Sequence, residues 1–209
     1  MAGVKKEILD YILETARGKG LTIFDVDETL FHTTARIQVK KNGEVISDLD
    51  NIEFNNYKLK SGEEYDFGQF KSAKIFNTTS TPIAKMINKA KAIIKNSVKA
   101  GSKVIVVTAR GDMDDKKLFI NTFKAQGLDM DNVYIERAGN IGLTSSAKNK
   151  EVVFRKYLET GVYKRIRLFD DSVENLYALL MLRDEFPDVA FEAYKVKKDG
   201  SIKTIRPRK

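Results

Sequence analysis

The 209-residue sequence has no cysteine and a single histidine, His32. Without cysteine the chain has neither a disulfide framework nor a thiolate nucleophile. One histidine argues against a histidine-based catalytic triad and excludes a histidine-rich zinc site. Any catalysis by this chain would therefore use carboxylates, lysine, serine or threonine hydroxyl groups, and a bound metal ion.

The sequence also has no apolar run long enough to span a bilayer and no secretory leader. These absences predict a cytoplasmic protein without a membrane partner. The length fits one domain, with or without an insertion. The net charge of +8 favours anionic partners such as nucleotides or nucleic acid, although solvated lysine faces give the same charge.

Apolar periodicity alternates between helices and strands along most of the chain. Helices are predicted over Val4–Ala16, from Pro82 to Lys99 with Thr81 as N-cap, and over Asp112–Gln126, Lys148–Glu159 and Val173–Phe186. Strands are predicted around Ile23, Val106, Tyr134, Leu168 and Phe191, with a last hairpin at Asp199-Gly200. This alternation predicts an α/β fold with a doubly wound, mainly parallel five-stranded sheet. No glycine-rich GxGxxG or GxxxxGK[ST] motif follows any of these strands, so neither a dinucleotide fold nor a P-loop is indicated.

Residues 31–79 are predicted to be an insertion into a core domain formed by residues 1–30 and 80–209. Asn42-Gly43 lies inside Ile37–Leu49 and predicts a β-hairpin. The rest of the insertion, Asp50–Thr79, is polar and is expected to be irregular. Its aromatic residues are expected to form a small core of their own rather than a platform on which bases stack: Phe54, Tyr57, Tyr65, Phe67, Phe70 and Phe76.

The first strand runs directly into two carboxylates, Asp25 and Asp27. Side chains two residues apart on a strand point the same way. Buried charge is costly unless it is paired or bound to metal, and open α/β sheets bind ligands beyond the carboxyl ends of their strands. The pair therefore indicates a metal-assisted site, and the alternative is a pair of turn-forming aspartates.

Two further strands end in polar residues. One ends at Thr108, and the other at Asp170 and Asp171, which alternatively cap the following helix. A lysine at the start of another helix, Lys148 or Lys150, completes the group. We prefer Lys150, because the apolar face of that helix follows it three, four and eight residues later.

These pieces resemble the four motifs of the haloacid dehalogenase (HAD) superfamily. The matches are DVDET at 25–29, VVTAR at 106–110, Lys150 before its helix, and LFDDS at 168–172. The resemblance implies a HAD-like core with a flap hairpin and a small cap. Segments 132–139, 148–158 and 167–176 also resemble the 3′-phosphatase domain of bacteriophage polynucleotide kinase.

The resemblance implies a role for each matching residue. Asp25 would be the nucleophile, forming an aspartyl-phosphate, and Asp27 would be the acid and base. Thr108 would hydrogen-bond the phosphoryl group, with Ala109 and Arg110 as further substrate contacts. Lys150 would balance charge. The implied Mg²⁺ ligands are Asp25, Asp27 through its backbone carbonyl, Asp170 and Asp171.

The sequence thus predicts a Mg²⁺-dependent phosphatase acting on phosphate monoesters, with nucleotides or polynucleotide ends as the favoured substrates. The alternatives are a phosphatase of small sugar phosphates and a HAD-like module that binds phosphate or nucleic acid without turnover. Arg110 would meet the substrate phosphate or lie at the surface. His32 is expected to be a loop residue, and Glu28 replaces a glycine that is common in the first motif.

Overall fold

The computed structural model describes residues 18–99, 101–143 and 145–207, and the helix predicted over Val4–Ala16 lies outside them. In chain order, the described strands are β1 (Lys19–Phe24), β2 (Phe31–His32), β3 (Ile37–Lys41), β4 (Glu44–Leu49), β5 (Glu63–Asp66), β6 (Thr81–Pro82), β7 (Lys103–Thr108), β8 (Val133–Arg137), β9 (Tyr163–Asp170), β10 (Ala190–Val196) and β11 (Ile202–Ile205). The described α-helices are α1 (Asn51–Asn56), α2 (Gly68–Lys71), α3 (Ala73–Thr79), α4 (Ala84–Lys99), α5 (Lys116–Ala125), α6 (Ser146–Leu158) and α7 (Val173–Met181).

The main sheet of this described part has six strands in the order β11-β10-β9-β1-β7-β8. All neighbours are parallel except β11, which runs antiparallel to β10. The predicted α/β class and mainly parallel sheet are confirmed. The predicted count of five strands is wrong, because the hairpin at Asp199-Gly200 returns along β10 and adds an edge strand.

Helices cover both faces of the sheet, which explains why its central strands are continuous apolar runs. Phe24 and Val106 pack with α4 and α5 on one face. Ile23, Ile105 and Leu168 pack with α6 and α7 on the other. None of the described helices combines the length and apolar character that crossing a membrane requires.

A second, three-stranded sheet has the order β4-β3-β5. The hairpin predicted at Asn42-Gly43 is confirmed, and both turn residues have the positive φ that such a turn requires, 52° and 83°. The prediction that Asp50–Thr79 is irregular is wrong, because it contains α1, β5, α2 and α3. Strand β5 escapes prediction because it is acidic, and its pairing with β3 includes the ion pair between Lys40 and Asp66.

The aromatic residues of this region divide between two cores. Four of them pack on the second sheet around Ile37, Val39 and Leu49, as predicted: Phe54, Tyr57, Tyr65 and Phe70. Phe76 instead lies in the main core, with its ring centroid 5.2 Å from Phe31 and 4.9 Å from Phe119. The last part of the region is thereby anchored to α5.

Several predicted helix boundaries are also wrong. Thr81 and Pro82 pair with β2 instead of opening a helix, and α4 begins only at Ala84. Helix α5 begins at Lys116, because the Asp115 side chain caps it. Helix α7 ends at Met181, where a 3₁₀ turn over Leu182–Asp184 follows.

Replacing Phe76 with alanine should lower the free energy of unfolding by about 3–5 kcal/mol, because it opens a cavity in the main core. Urea denaturation measures this change. Phe67→Ala is the matched control, since the Phe67 side chain is 40% exposed and its loss should cost much less. Equal losses for the two variants would contradict the assignment of Phe76 to the main core.

Candidate active site

Three parallel strands bring their carboxyl ends to one edge of the main sheet. Strand β1 lies between β7 and β9, and the Asp25 backbone N–H donates to the Phe169 carbonyl at 3.0 Å. The residues that follow or end these strands are Asp25, Thr108 and Asp170. All three are buried. The sequence correctly predicts this shared edge.

Lys150 links two of these strand ends to α6. Its Nζ donates to Asp25 Oδ1 and to Asp170 Oδ2, both at 2.7 Å. The residue is 1% exposed, whereas Lys148 is exposed. The choice left open between the two lysines is thus resolved geometrically, because Lys150 lies in the site and Lys148 does not.

The electrostatics of the site reflect burial and proximity together. Burial raises the pKa of Asp25 well above its usual value, the nearby carboxylates raise it further, and Lys150 opposes both effects. Burial lowers the pKa of Lys150, but Asp170 and Asp25 outweigh it and the net shift is upward. Burial and then the Asp170 charge raise the pKa of Asp171 to about 7. One ammonium group therefore faces more carboxylate charge than it can balance.

Asp25, Asp170 and Asp171 form a cluster that can hold a metal ion. Each offers a carboxylate oxygen, and these oxygens lie within 4.8 Å of one another. Carboxylate oxygens are the ligands preferred by hard divalent cations. The three carboxylate donors therefore fit a Mg²⁺-like ion. The charge of such an ion would offset the repulsion between the carboxylates.

The two neighbouring aspartates are not equivalent. Asp170 Oδ1 accepts from the Ser172 backbone N–H and from Asn175 Nδ2, each at 2.9 Å. Its Oδ2 accepts from Lys150 at 2.7 Å and from Asn175 at 3.1 Å. Four hydrogen bonds occupy the lone pairs of that carboxylate. Asp171 is therefore better placed than Asp170 to contact a cation directly.

The alternative that Asp170 and Asp171 cap the following helix is wrong. Ser172 is the N-cap of α7, and its hydroxyl accepts from the Asn175 backbone N–H. Sequence reasoning missed Asn175, whose amide orients Asp170. A signal was present, because Asn175 is a polar residue directly before the apolar and aromatic run of Leu176–Met181.

Asp27 lies in a separate environment, bound by Arg110. Arg110 Nε donates to Asp27 Oδ2 at 2.9 Å, and Nη2 donates to Oδ1 at 2.7 Å. Nη1 donates to the Phe70 carbonyl at 2.9 Å, and the guanidinium lies over the Phe70 and Phe76 rings. Arg110 is 2% exposed, so the alternative that it lies at the surface is wrong. Its contact with substrate phosphate stays a prediction.

The loop after β7 is held close to the end of β8. The Thr108 hydroxyl accepts from the Arg110 backbone N–H at 3.1 Å, and Ala109 between them is exposed. Gly139 packs against this loop so closely that an added Cβ would lie 2.2 Å from the Ala109 carbonyl oxygen. Only glycine permits this approach.

Glu28 adopts a φ of 57°, in the left-handed region that favours glycine. This explains why a glycine suits the same position of the motif. The Glu28 carboxylate accepts from the Thr33 backbone N–H at 3.1 Å and lies 2.8 Å from His32 Nδ1. Sequence reasoning missed this pairing, and the spacing of four residues was its only signal.

Comparison with protein-family models gives no match for this chain, and comparison with curated proteins gives none. The resemblance to the HAD superfamily therefore stays a prediction that depends on the four motifs.

Replacing Lys150 with methionine should lower the free energy of unfolding by about 3 kcal/mol, because two buried carboxylates lose their counter-charge. Denaturation in the presence of EDTA at neutral pH measures the change without metal. Lys148→Met is the matched control and should leave stability unchanged. The assignment of Lys150 fails if the two variants are equally stable.

Cation binding at the aspartate cluster should strengthen as pH rises. Protons compete with a cation for Asp171 below its pKa of about 7, so affinity should fall about tenfold per pH unit on the acidic side and level off above pH 8. Calorimetric titration with Mg²⁺ at pH 6, 7 and 8 measures this. A constant affinity across that range would show that these carboxylates do not bind the ion.

Proposed function

We propose that this chain is a Mg²⁺-dependent phosphatase of the HAD type, which hydrolyses phosphate monoesters through an aspartyl-phosphate on Asp25. One observation carries the proposal. Asp25 and Asp27 are two residues apart in the sequence, but their carboxylates have different partners. Asp25 is bound to Lys150 within an acidic cluster, and Asp27 is bound to Arg110 outside it. Two carboxyl groups in different environments are suited to two different roles.

Asp25 has the environment that a carboxylate nucleophile needs. Lys150 holds Oδ1 at 2.7 Å, and Oδ2 accepts no hydrogen bond from any residue in the described part of the chain. Oδ2 is thus available to attack phosphorus and displace the leaving oxygen, forming the aspartyl-phosphate. Lys150 fixes the direction of attack and offsets the charge of the incoming phosphate.

Asp27 is suited to proton transfer. The two-pronged contact with Arg110 fixes the plane of its carboxyl group. In the first step, protonated Asp27 gives its proton to the leaving oxygen. In the second step, it removes a proton from a water molecule that attacks the phosphoryl group. That attack releases phosphate and restores the Asp25 carboxylate.

The cation would be held by Asp25, Asp170 and Asp171, with the Asp27 backbone carbonyl as a further ligand that the motif implies. When bound, it supplies positive charge that offsets repulsion between a carboxylate and an anionic ester. Lys150 and Asn175 also hydrogen-bond to Asp170 and orient its carboxylate. Thr108, at the neighbouring strand end, would donate its hydroxyl proton to a phosphoryl oxygen.

The predicted substrates are nucleotides or polynucleotide ends. The net charge of +8 supports an anionic substrate of this kind. The small sheet β4-β3-β5 adjoins the site through Phe70, whose carbonyl accepts from Arg110. Phe70 also packs on Ile37, Val39 and Leu49, so the small sheet is connected to the residue that binds Asp27.

The wild-type chain should hydrolyse p-nitrophenyl phosphate with Mg²⁺ and lose that activity in EDTA. Asp25→Asn should reduce kcat by about a thousandfold or more, because it removes the nucleophile. Asp199→Asn, which alters an exposed carboxylate away from the site, should retain full activity. The proposal is wrong if Asp25→Asn matches the wild type in this assay.

A further inference from the structure

We propose that Glu28 and His32 form a carboxylate–imidazole pair whose outer nitrogen, Nε2 of His32, accepts a hydrogen bond from a substrate hydroxyl group. This inference rests on the proposed phosphatase function. It specifies the substrate class as phosphate esters that carry a hydroxyl group on the carbon next to the ester carbon, as 2′- and 3′-ribonucleotides and many sugar phosphates do.

The pair fixes which ring nitrogen carries the proton. His32 Nδ1 lies 2.8 Å from Glu28 Oε2. An ionised carboxylate only accepts hydrogen bonds, so Nδ1 is the protonated nitrogen and Nε2 of the neutral ring is an acceptor. Among residues 18–99, 101–143 and 145–207, none hydrogen-bonds to Nε2, and the His32 side chain is 38% exposed. Nε2 is therefore accessible to a ligand that offers a donor.

Glu28 adopts a strained backbone conformation, and hydrogen bonds hold both its backbone and its side chain in place. The residue has a φ of 57°, its backbone N–H donates to the Phe31 carbonyl at 2.7 Å, and Oε1 accepts from the Thr33 backbone N–H. Glycine would satisfy the same backbone without strain. Strained residues persist at sites where the surrounding structure uses them, and here the carboxylate orients the imidazole.

The pair lies beside the residues that would handle the leaving group. The Thr33 hydroxyl accepts from Arg110 Nη2 at 3.1 Å, and the same guanidinium holds Asp27. A substrate whose leaving oxygen contacts Asp27 would place its neighbouring carbons near His32.

Two matched esters test the inference, 2-hydroxyethyl phosphate and ethyl phosphate, assayed with Mg²⁺ at pH 8. The wild type should have about a tenfold higher kcat/KM for the hydroxyl-bearing ester, the value of one hydrogen bond. His32→Asn keeps a donor for Glu28 but has no group at Nε2, so the ratio should fall to about one. Glu28→Gly should lower the ratio similarly. Asp131→Asn is the control at an exposed position and should leave the ratio unchanged.

Nuclear magnetic resonance gives a readout that does not depend on turnover. His32 is the only histidine, so one pair of imidazole ¹⁵N resonances reports on it. In Asp25→Asn protein with Mg²⁺, the Nε2 resonance should shift on addition of 2-hydroxyethyl phosphate and stay in place with ethyl phosphate. This measurement needs no substitution at position 28 or 32, so it is independent of whether those variants fold.

The outcomes separate the two proposals. Equal hydrolysis of both esters by the wild type, with an unmoved His32 resonance, overturns this inference and leaves the phosphatase function standing. A preference for an ester with a second phosphate, lost as pH rises, also overturns it, because His32 would then act as a cation. Hydrolysis of neither ester and of no aryl phosphate overturns the phosphatase function itself.

Discussion

Charge compensation around Lys150 is the constraint on which the rest of the site depends. A buried ammonium group is tolerated only with close counter-charges, and Asp25 and Asp170 supply them at 2.7 Å. The contact connects α6 to the ends of β1 and β9, because Lys150 bonds to a residue at each. It leaves negative charge in excess, since Asp171 adds a third carboxylate, and this excess makes the cluster suitable for a cation.

Asp25 and Asp27 lie close together in the sequence but have different surroundings. Asp25 is buried beside other carboxylates, whereas Asp27 is paired with a guanidinium that is itself buried against two aromatic rings. Strand β1 ends at Phe24, so both aspartates lie in the segment that follows it, where Asp27 contacts Arg110. The different environments of these two carboxylates therefore come from partners that lie far away in the sequence.

Much of this arrangement could be predicted from the sequence. The apolar strands, their polar ends and the preference for Lys150 all follow from local periodicity, because burial repeats along the chain with the geometry of each element. Pairings over long separations could not be predicted in this way. Arg110 with Asp27, Asn175 with Asp170, and the acidic strand β5 beside β3 each depend on where distant segments meet. The predicted start of α4 was wrong for the same reason, because Thr81 and Pro82 form a strand that pairs with β2.

Arg110 also connects the candidate acid to the small sheet. The guanidinium that hydrogen-bonds to Asp27 also donates through Nη1 to the carbonyl of Phe70, which lies in α2. Equilibria that share a group are linked, and the linkage is reciprocal. Any displacement of Gly68–Lys71 that breaks this bond therefore changes the free energy of the contact between Arg110 and Asp27, and any change in that contact alters the free energy of the displacement by the same amount. The position of α2 and the contact between Arg110 and Asp27 are thus two coupled equilibria.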